Sequence, residues 1–149
     1  MLDAHGVEFI VVGGMAAVIG GAPVVTQDVD VLRSVRPDQV DATLAALAAL
    51  DATFRTDERR LRPNASHLAG HGHLLLRTRF GVLDLLGSVE ESTRYEDLLA
   101  DTYVVDLGGF RVRVVALARL LEIKRKLARP KDQLQAMQIA AVLDELRRR

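Results

Sequence analysis

The segment Phe9-Ile10-Val11-Val12-Gly13-Gly14, followed by Thr26-Gln27-Asp28-Val29-Asp30-Val31-Leu32, governs how this chain is read. An apolar run that stops at a glycine pair reads as a buried strand entering a turn. Glycines there let backbone N–H groups approach a phosphate with no Cβ in the way. In the second half, Asp28 and Asp30 are two apart on a strand and project from one face, while Val29 and Val31 turn to the core. Two carboxylates so close repel, which raises at least one pKa unless a cation lies between them, and a hard ion such as Mg²⁺ suits that position. Taken alone, Asp-x-Asp fits the polar face of an edge strand or a capped turn better than a metal site. The glycine pair and a third acid reverse that balance, and together they read as a metal–nucleotide site.

The third acid is Asp84, the single charge in Val82-Leu83-Asp84-Leu85-Leu86. Ionised carboxylates are seldom left unpaired in such runs. By itself it is more simply a strand-end residue facing solvent. If its strand lies beside the one bearing Asp28 and Asp30, three carboxylates converge, as two metal ions roughly 3.5–4 Å apart would require for an in-line phosphoryl displacement.

Gly13-Gly14, Thr26-Gln27-Asp28-Val29-Asp30 and Leu83-Asp84-Leu85 resemble the nucleotidyltransferase superfamily that includes DNA polymerase β, and within it the AbiEii/AbiGii toxin-like and minimal nucleotidyltransferases. The resemblance spans most of the chain. The superfamily's usual Gly-Ser is Gly-Gly here, so a serine hydroxyl contact to phosphate is replaced by backbone N–H groups. The segment Ile123-Lys124-Arg125-Lys126-Leu127-Ala128-Arg129-Pro130-Lys131-Asp132 is similar to the basic Lys…Arg-x-Lys/Arg-Asp segment near the C-terminus of these proteins. Lys124 is the residue chosen from it, because it adjoins the stripe of Leu120, Ile123 and Leu127. For each basic residue taken singly, a solvated last helical turn is an equal explanation.

The resemblance implies transfer of a nucleoside monophosphate from an NTP donor to an acceptor hydroxyl with release of pyrophosphate. Asp28 and Asp30 would bind Mg²⁺ or Mn²⁺, and Asp84 would help bind the catalytic ion and assist the nucleophile. Gly13, Gly14 and Thr26 would contact nucleotide, and Lys124 would offset charge on the leaving group. The acceptor stays open between RNA, a protein and a small hydroxylated compound such as an antibiotic. A toxin role with a cognate antitoxin belongs to the same resemblance, and a catalytically degenerate binder of nucleotide or a partner is the alternative.

Composition narrows the class. At 149 residues the chain has the common size of one domain, and 49% hydrophobic residues supply a core. Aromatic residues are 4% with no Trp, which disfavours a base-stacking single-strand binder built on aromatic platforms. Zero cysteines exclude thiolate metal sites and a cysteine nucleophile. Twenty basic and twenty acidic residues leave no net charge, so polyanion binding is not driven by the whole molecule. No apolar stretch of about 18 residues and no leader pattern is present, so a cytoplasmic protein without membrane contact is expected.

The expected architecture is a single α/β (α+β) domain over residues 1–149, with a mixed-sheet core to about 115 and a pair of C-terminal helices over about 116–149. Strands are expected near 8–12, 74–79, 82–86, 104–107 and 110–114, with a second strand carrying Asp28 and Asp30. Gly108-Gly109 is a hairpin signal. Helices are expected over 15–19, from Pro37 through Val40, Leu44, Leu47 and Leu50, and over 117–128 and 130–146. Residues 55–72 read as an irregular, mobile loop in which Arg55, Arg59, Arg60, Arg62, His67 and His71 could line the acceptor side, though a solvated loop explains them with less effort. His71-Gly72-His73 lacks the further ligands a zinc site needs. Arg147-Arg148-Arg149 suits the negative end of the last helix better than a nucleic-acid contact.

Overall fold

Phe9–Val12 forms β1 and runs directly into α1, Gly13–Ile19, because Gly13 takes a left-handed φ of +65° that turns the chain within one residue. The helix therefore starts two residues before the position expected from the sequence. The computed structural model describes residues 2–149. After α1 the chain passes through an irregular stretch to β2, Val29–Arg33, so Asp28 lies just ahead of the strand and Asp30 within it. A 3₁₀ turn at Pro37–Gln39 precedes α2, Val40–Ala49. The remaining strands are β3, Thr53–Phe54, β4, Leu74–Thr78, β5, Gly81–Leu86, β6, Thr102–Asp106 and β7, Arg111–Val115. The other helices are α3, Ala65–Leu68, α4, Tyr95–Leu98, α5, Leu117–Arg125 and α6, Pro130–Arg147.

All seven strands join one mixed sheet in the order β3-β4-β5-β2-β1-β7-β6. β1 pairs antiparallel with β2 and parallel with β7, and β2 pairs parallel with β5. The expected hairpins, β4–β5 and β6–β7, are both present. Gly108 and Gly109 take φ of +73° and +103°, the left-handed pair that a tight hairpin link requires. The core is aliphatic: Ile10, Leu32, Val114 and Leu120 are fully buried. The helices α1, α5 and α6 pack on one another at one sheet face. On the opposite face Leu50, just past α2, shares a concavity with Phe9, Val29 and Leu83. No described helix is long and apolar enough to cross a membrane.

The 55–72 segment is mostly irregular, as expected, but not wholly so. It carries the short helix α3, whose start is closed by Asn64 and His67 hydrogen-bonding each other's backbone. The buried Arg33 guanidinium then donates to the carbonyls of Leu68, Gly70 and Gly72, at 3.2, 2.7 and 3.2 Å. Burial lowers the Arg33 pKa, and these carbonyls replace the water it has lost. The sheet thus anchors the 68–72 end of the loop.

Candidate active site

Asp30 is the hub. Its strand position places it opposite Val12 on one side and opposite Asp84 on the other, and laterally paired residues of adjacent strands share a sheet face. The two acids are thus neighbours because β5 lies beside β2. The Asp30 carboxylate rests on the backbone of Gly13: a Cβ built there would sit 2.5 Å from Oδ2 and 3.1 Å from the Asp30 Cβ. Gly14 is under the same constraint from Thr26, whose Cβ and Oγ1 would both lie 2.9 Å from an added Cβ. Thr26 itself donates to the Asp28 carbonyl at 3.3 Å. The glycine pair is therefore required by the close approach of the Thr26–Asp30 segment, in addition to any ligand it would admit.

Burial raises the pKa of Asp30, the Asp84 and Asp28 charges raise it further, and Lys124 and Lys131 act in the opposite direction. Negative charge is gathered here faster than the two lysines offset it. A cleft of about 780 Å³ opens beside it, lined by Val12, Gly13 and Asp30 from the sheet side and by Leu120 and Lys124 from α5. That volume lies within the range of small-ligand pockets.

Lys124 is 6% exposed, and its Nζ donates to Oδ1 of Asp132 at 2.8 Å. Arg129 Nε donates to Oδ2 of the same carboxylate at 2.8 Å, and Asp132 is 0% exposed. Burial opposes ionisation of Asp132, but the Lys124 and Arg129 hydrogen bonds outweigh it and hold the carboxyl below its ordinary value. One acid thus fixes two bases at the cleft wall. An ammonium carries three donors, so Lys124 keeps capacity for a ligand oxygen.

Asp84 is differently placed. Arg55, just past β3, grips its carboxylate with both Nη atoms, one of them 3.3 Å from Oδ2. The Arg55 N–H is in turn tied to the Leu75 carbonyl at 3.1 Å, which anchors the Arg55 backbone beside β4. Among the described residues, no three acidic or histidine side chains are grouped to hold a metal ion. The strand adjacency on which the expected convergence depends is present, since β5 pairs with β2 and sets Asp84 opposite Asp30, while Arg55 engages the Asp84 carboxylate. Asp28 and Asp30 alone offer the carboxylate oxygens and the unrelieved charge that suit one hard divalent cation.

Two residues of the cleft escaped the sequence. Glu90 lies on its rim with a side chain only 5% exposed, bonded to Arg119 and Lys126. The Arg119 hydrogen bond is the main cause that takes its pKa down to about 2. Glu90 and its neighbour Glu91 take φ of +52° and +71°, a strained pair held by the Val89–Thr93 bridge and by those ion pairs. His73 also reaches the rim, where its Nδ1 accepts from the Gly87 N–H at 3.3 Å. Nothing in the local sequence of either residue marks it as a cleft residue. Lys131, by contrast, stood in the basic segment already quoted.

No family model and no curated protein matches the chain. Among solved structures the chain is similar to a putative nucleotidyltransferase (TM1012) from Thermotoga maritima, at 13% identity over 96% of this chain and 84% of that one, with a TM-score of 0.49.

Proposed function

We propose that this protein is a nucleotidyltransferase that moves a nucleoside monophosphate from an NTP to an acceptor hydroxyl. The observation that carries the reading is Asp30: a carboxylate of raised pKa, seated on Gly13, in register with Asp84 and facing the Lys124 side of a nucleotide-sized cleft. Asp28 and Asp30 would hold a Mg²⁺ ion, which supplies positive charge to the phosphates. The N–H groups at the start of α1 have no side-chain cap and would meet phosphate oxygens, with Gly13 and Gly14 giving the approach. Lys124, fixed by Asp132, would offset charge on the departing pyrophosphate. In the transfer, the acceptor oxygen bonds the α-phosphorus, the bridging bond to the β-phosphate breaks, and pyrophosphate leaves with that electron pair. The hydroxyl proton is received by Asp84.

Asp28→Ala and Asp30→Ala should each abolish Mg²⁺-dependent pyrophosphate release while the protein stays folded. Turnover that survives both changes would remove the assignment. Mass spectrometry of cellular RNA and protein after expression, wild type against Asp30→Ala, would name the donor and acceptor by the added mass. A toxin role within this reading requires growth arrest on expression that Asp30→Ala lifts.

The grip of Arg55 on Asp84 favours a second reading, a nucleotide-binding protein without turnover. Titration calorimetry with a nonhydrolysable NTP and Mg²⁺ beside the turnover assay separates them: binding without pyrophosphate release supports the second.

A further inference from the structure

Beyond Asp84, at the β3–β4 edge of the sheet, lies a second concavity of about 920 Å³ lined by Arg55, Arg60, Arg62, Arg77 and Arg79. Its acids do not cancel these charges. Asp51 takes Arg62 at 3.2 Å, and Asp57 is occupied by Arg59 at 2.9 Å. Arg55 is committed to Asp84. Arg60, Arg77 and Arg79 form no ion pair among the described residues, and Glu58 is the one acid of the lining not engaged elsewhere. In a chain with no net charge, this is a local concentration of unneutralised guanidinium groups.

Two further observations give the groove a direction and a chemistry. Arg55 belongs both to its wall and to the Asp84 contact, so its inner end abuts the candidate active site. Next to Arg79 of its wall the β4–β5 turn presents Phe80, which lines the neighbouring concavity of Phe9, Val29 and Leu83, is 75% exposed and has the Arg79 guanidinium 5.0 Å from its ring centroid. An exposed ring beside an arginine is a platform on which a base can stack, and one such ring is compatible with the low aromatic content.

We propose that this groove binds the sugar–phosphate chain of a single-stranded polynucleotide acceptor and leads its end toward Asp84, a proposal that rests on the transfer reading above. Arg60, Arg77 and Arg79 contact phosphates and Phe80 stacks on a base.

The test is fluorescence anisotropy of the full chain with a labelled single-stranded oligonucleotide of roughly 12 nucleotides, without NTP, over a salt series. The combined Arg60→Ala, Arg77→Ala and Arg79→Ala variant should weaken binding and flatten the slope of log K against log salt by about 2, since each phosphate contact contributes ~0.7. Phe80→Ala should weaken oligonucleotide binding about tenfold with the salt slope unchanged, and should leave inorganic polyphosphate binding untouched. The proposal is overturned if the arginine variant binds as wild type does, or if Arg147→Ala, Arg148→Ala and Arg149→Ala together remove the binding instead. It is equally overturned if Phe80→Ala affects neither probe. A separate titration of NTP against Asp30→Ala keeps the two readings apart. Arginine-dependent oligonucleotide binding with no NTP site sinks the transfer reading and leaves the groove, whereas an Asp30-dependent NTP site with arginine-independent oligonucleotide binding sinks only the groove.

Discussion

Gly13→Ala perturbs the point where β1, α1 and Asp30 meet, and its cost can be worked from two separate causes. At φ +65° an alanine sits in the left-handed region, which costs roughly 1–2 kcal/mol. Its Cβ would also lie 2.5 Å from Asp30 Oδ2 and 3.1 Å from the Asp30 Cβ. Turning the carboxylate away clears the first contact and not the second, so β1 and β2 must separate where Val12 pairs with Asp30. Overpacking of this kind costs about 1–3 kcal/mol, giving a total of about 2–5 kcal/mol. Asp30→Ala removes the carboxylate and keeps the Cβ, so in that background Gly13→Ala should cost about 1 kcal/mol less or better. The assay is urea unfolding of the wild type, both single variants and the double variant. The reasoning fails if the two changes add within about 0.5 kcal/mol, for the carboxylate would then not be what the glycine accommodates. The same series titrated with a nonhydrolysable NTP should show affinity lost in Gly13→Ala, because Asp30 is displaced.

Glu90 should make the fold acid-sensitive: with the folded carboxyl at about 2 against an ordinary 4.5, its contribution is complete above about pH 4.5 and is lost as pH falls toward 2. Glu90→Gln should therefore cost roughly 2–3 kcal/mol at pH 7, discounted for the exposure of Lys126, and progressively less toward pH 2.5. A difference in unfolding free energy that stays flat with pH refutes this. Asp132→Asn leaves the Lys124 charge buried with no carboxylate and should cost about 3–5 kcal/mol, while Lys124→Met with Asp132→Leu should recover most of that loss. Chemical denaturation of the two variants decides it, equal losses being the adverse result. Arg55→Ala should cost only ~1–2 kcal/mol, because the pair with Asp84 is partly open to solvent, and a larger loss in thermal or urea unfolding would make Arg55 a structural keystone.

The site was legible where short-range pattern suffices. An apolar run ending in two glycines placed β1 and the turn into α1. Valines alternating with Asp28 and Asp30 set the face of β2, and the runs around Gly81 marked the β4–β5 hairpin. That β5 lies beside β2, bringing Asp84 opposite Asp30, is a matter of strand order, which periodicity does not encode. The helix α2 shows a different limit: alanines make it apolar nearly all round. The chain buries Thr43 and Ala46 with Leu47, while Val40 and Leu44 of the expected stripe are only half-buried. The anchoring of residues 68–72 could not be read from the 55–72 segment itself, because it comes from Arg33, a residue that locally reads as nothing more than the end of a strand.

The two bases nearest the candidate acids are held in opposite ways, and the contrast bears on function. Lys124 is buried with a fully buried carboxylate that also holds Arg129, so moving it would strand charge in the interior. Arg55 reaches over β4 to meet Asp84 in a partly buried pair, whose release costs about 1–2 kcal/mol, less than that of a fully buried pair. The α5–α6 wall of the cleft is thus fixed, and the β3 side is adjustable. A phosphate entering the arginine groove would compete with Asp84 for the Arg55 guanidinium, for which it is an equally good bidentate partner. The ion pair that withholds the third acid is therefore the contact that an anionic acceptor is best suited to exchange. On that account Arg55→Ala should raise turnover with a neutral acceptor and lower it with a polynucleotide, an inversion that a merely structural arginine would not produce.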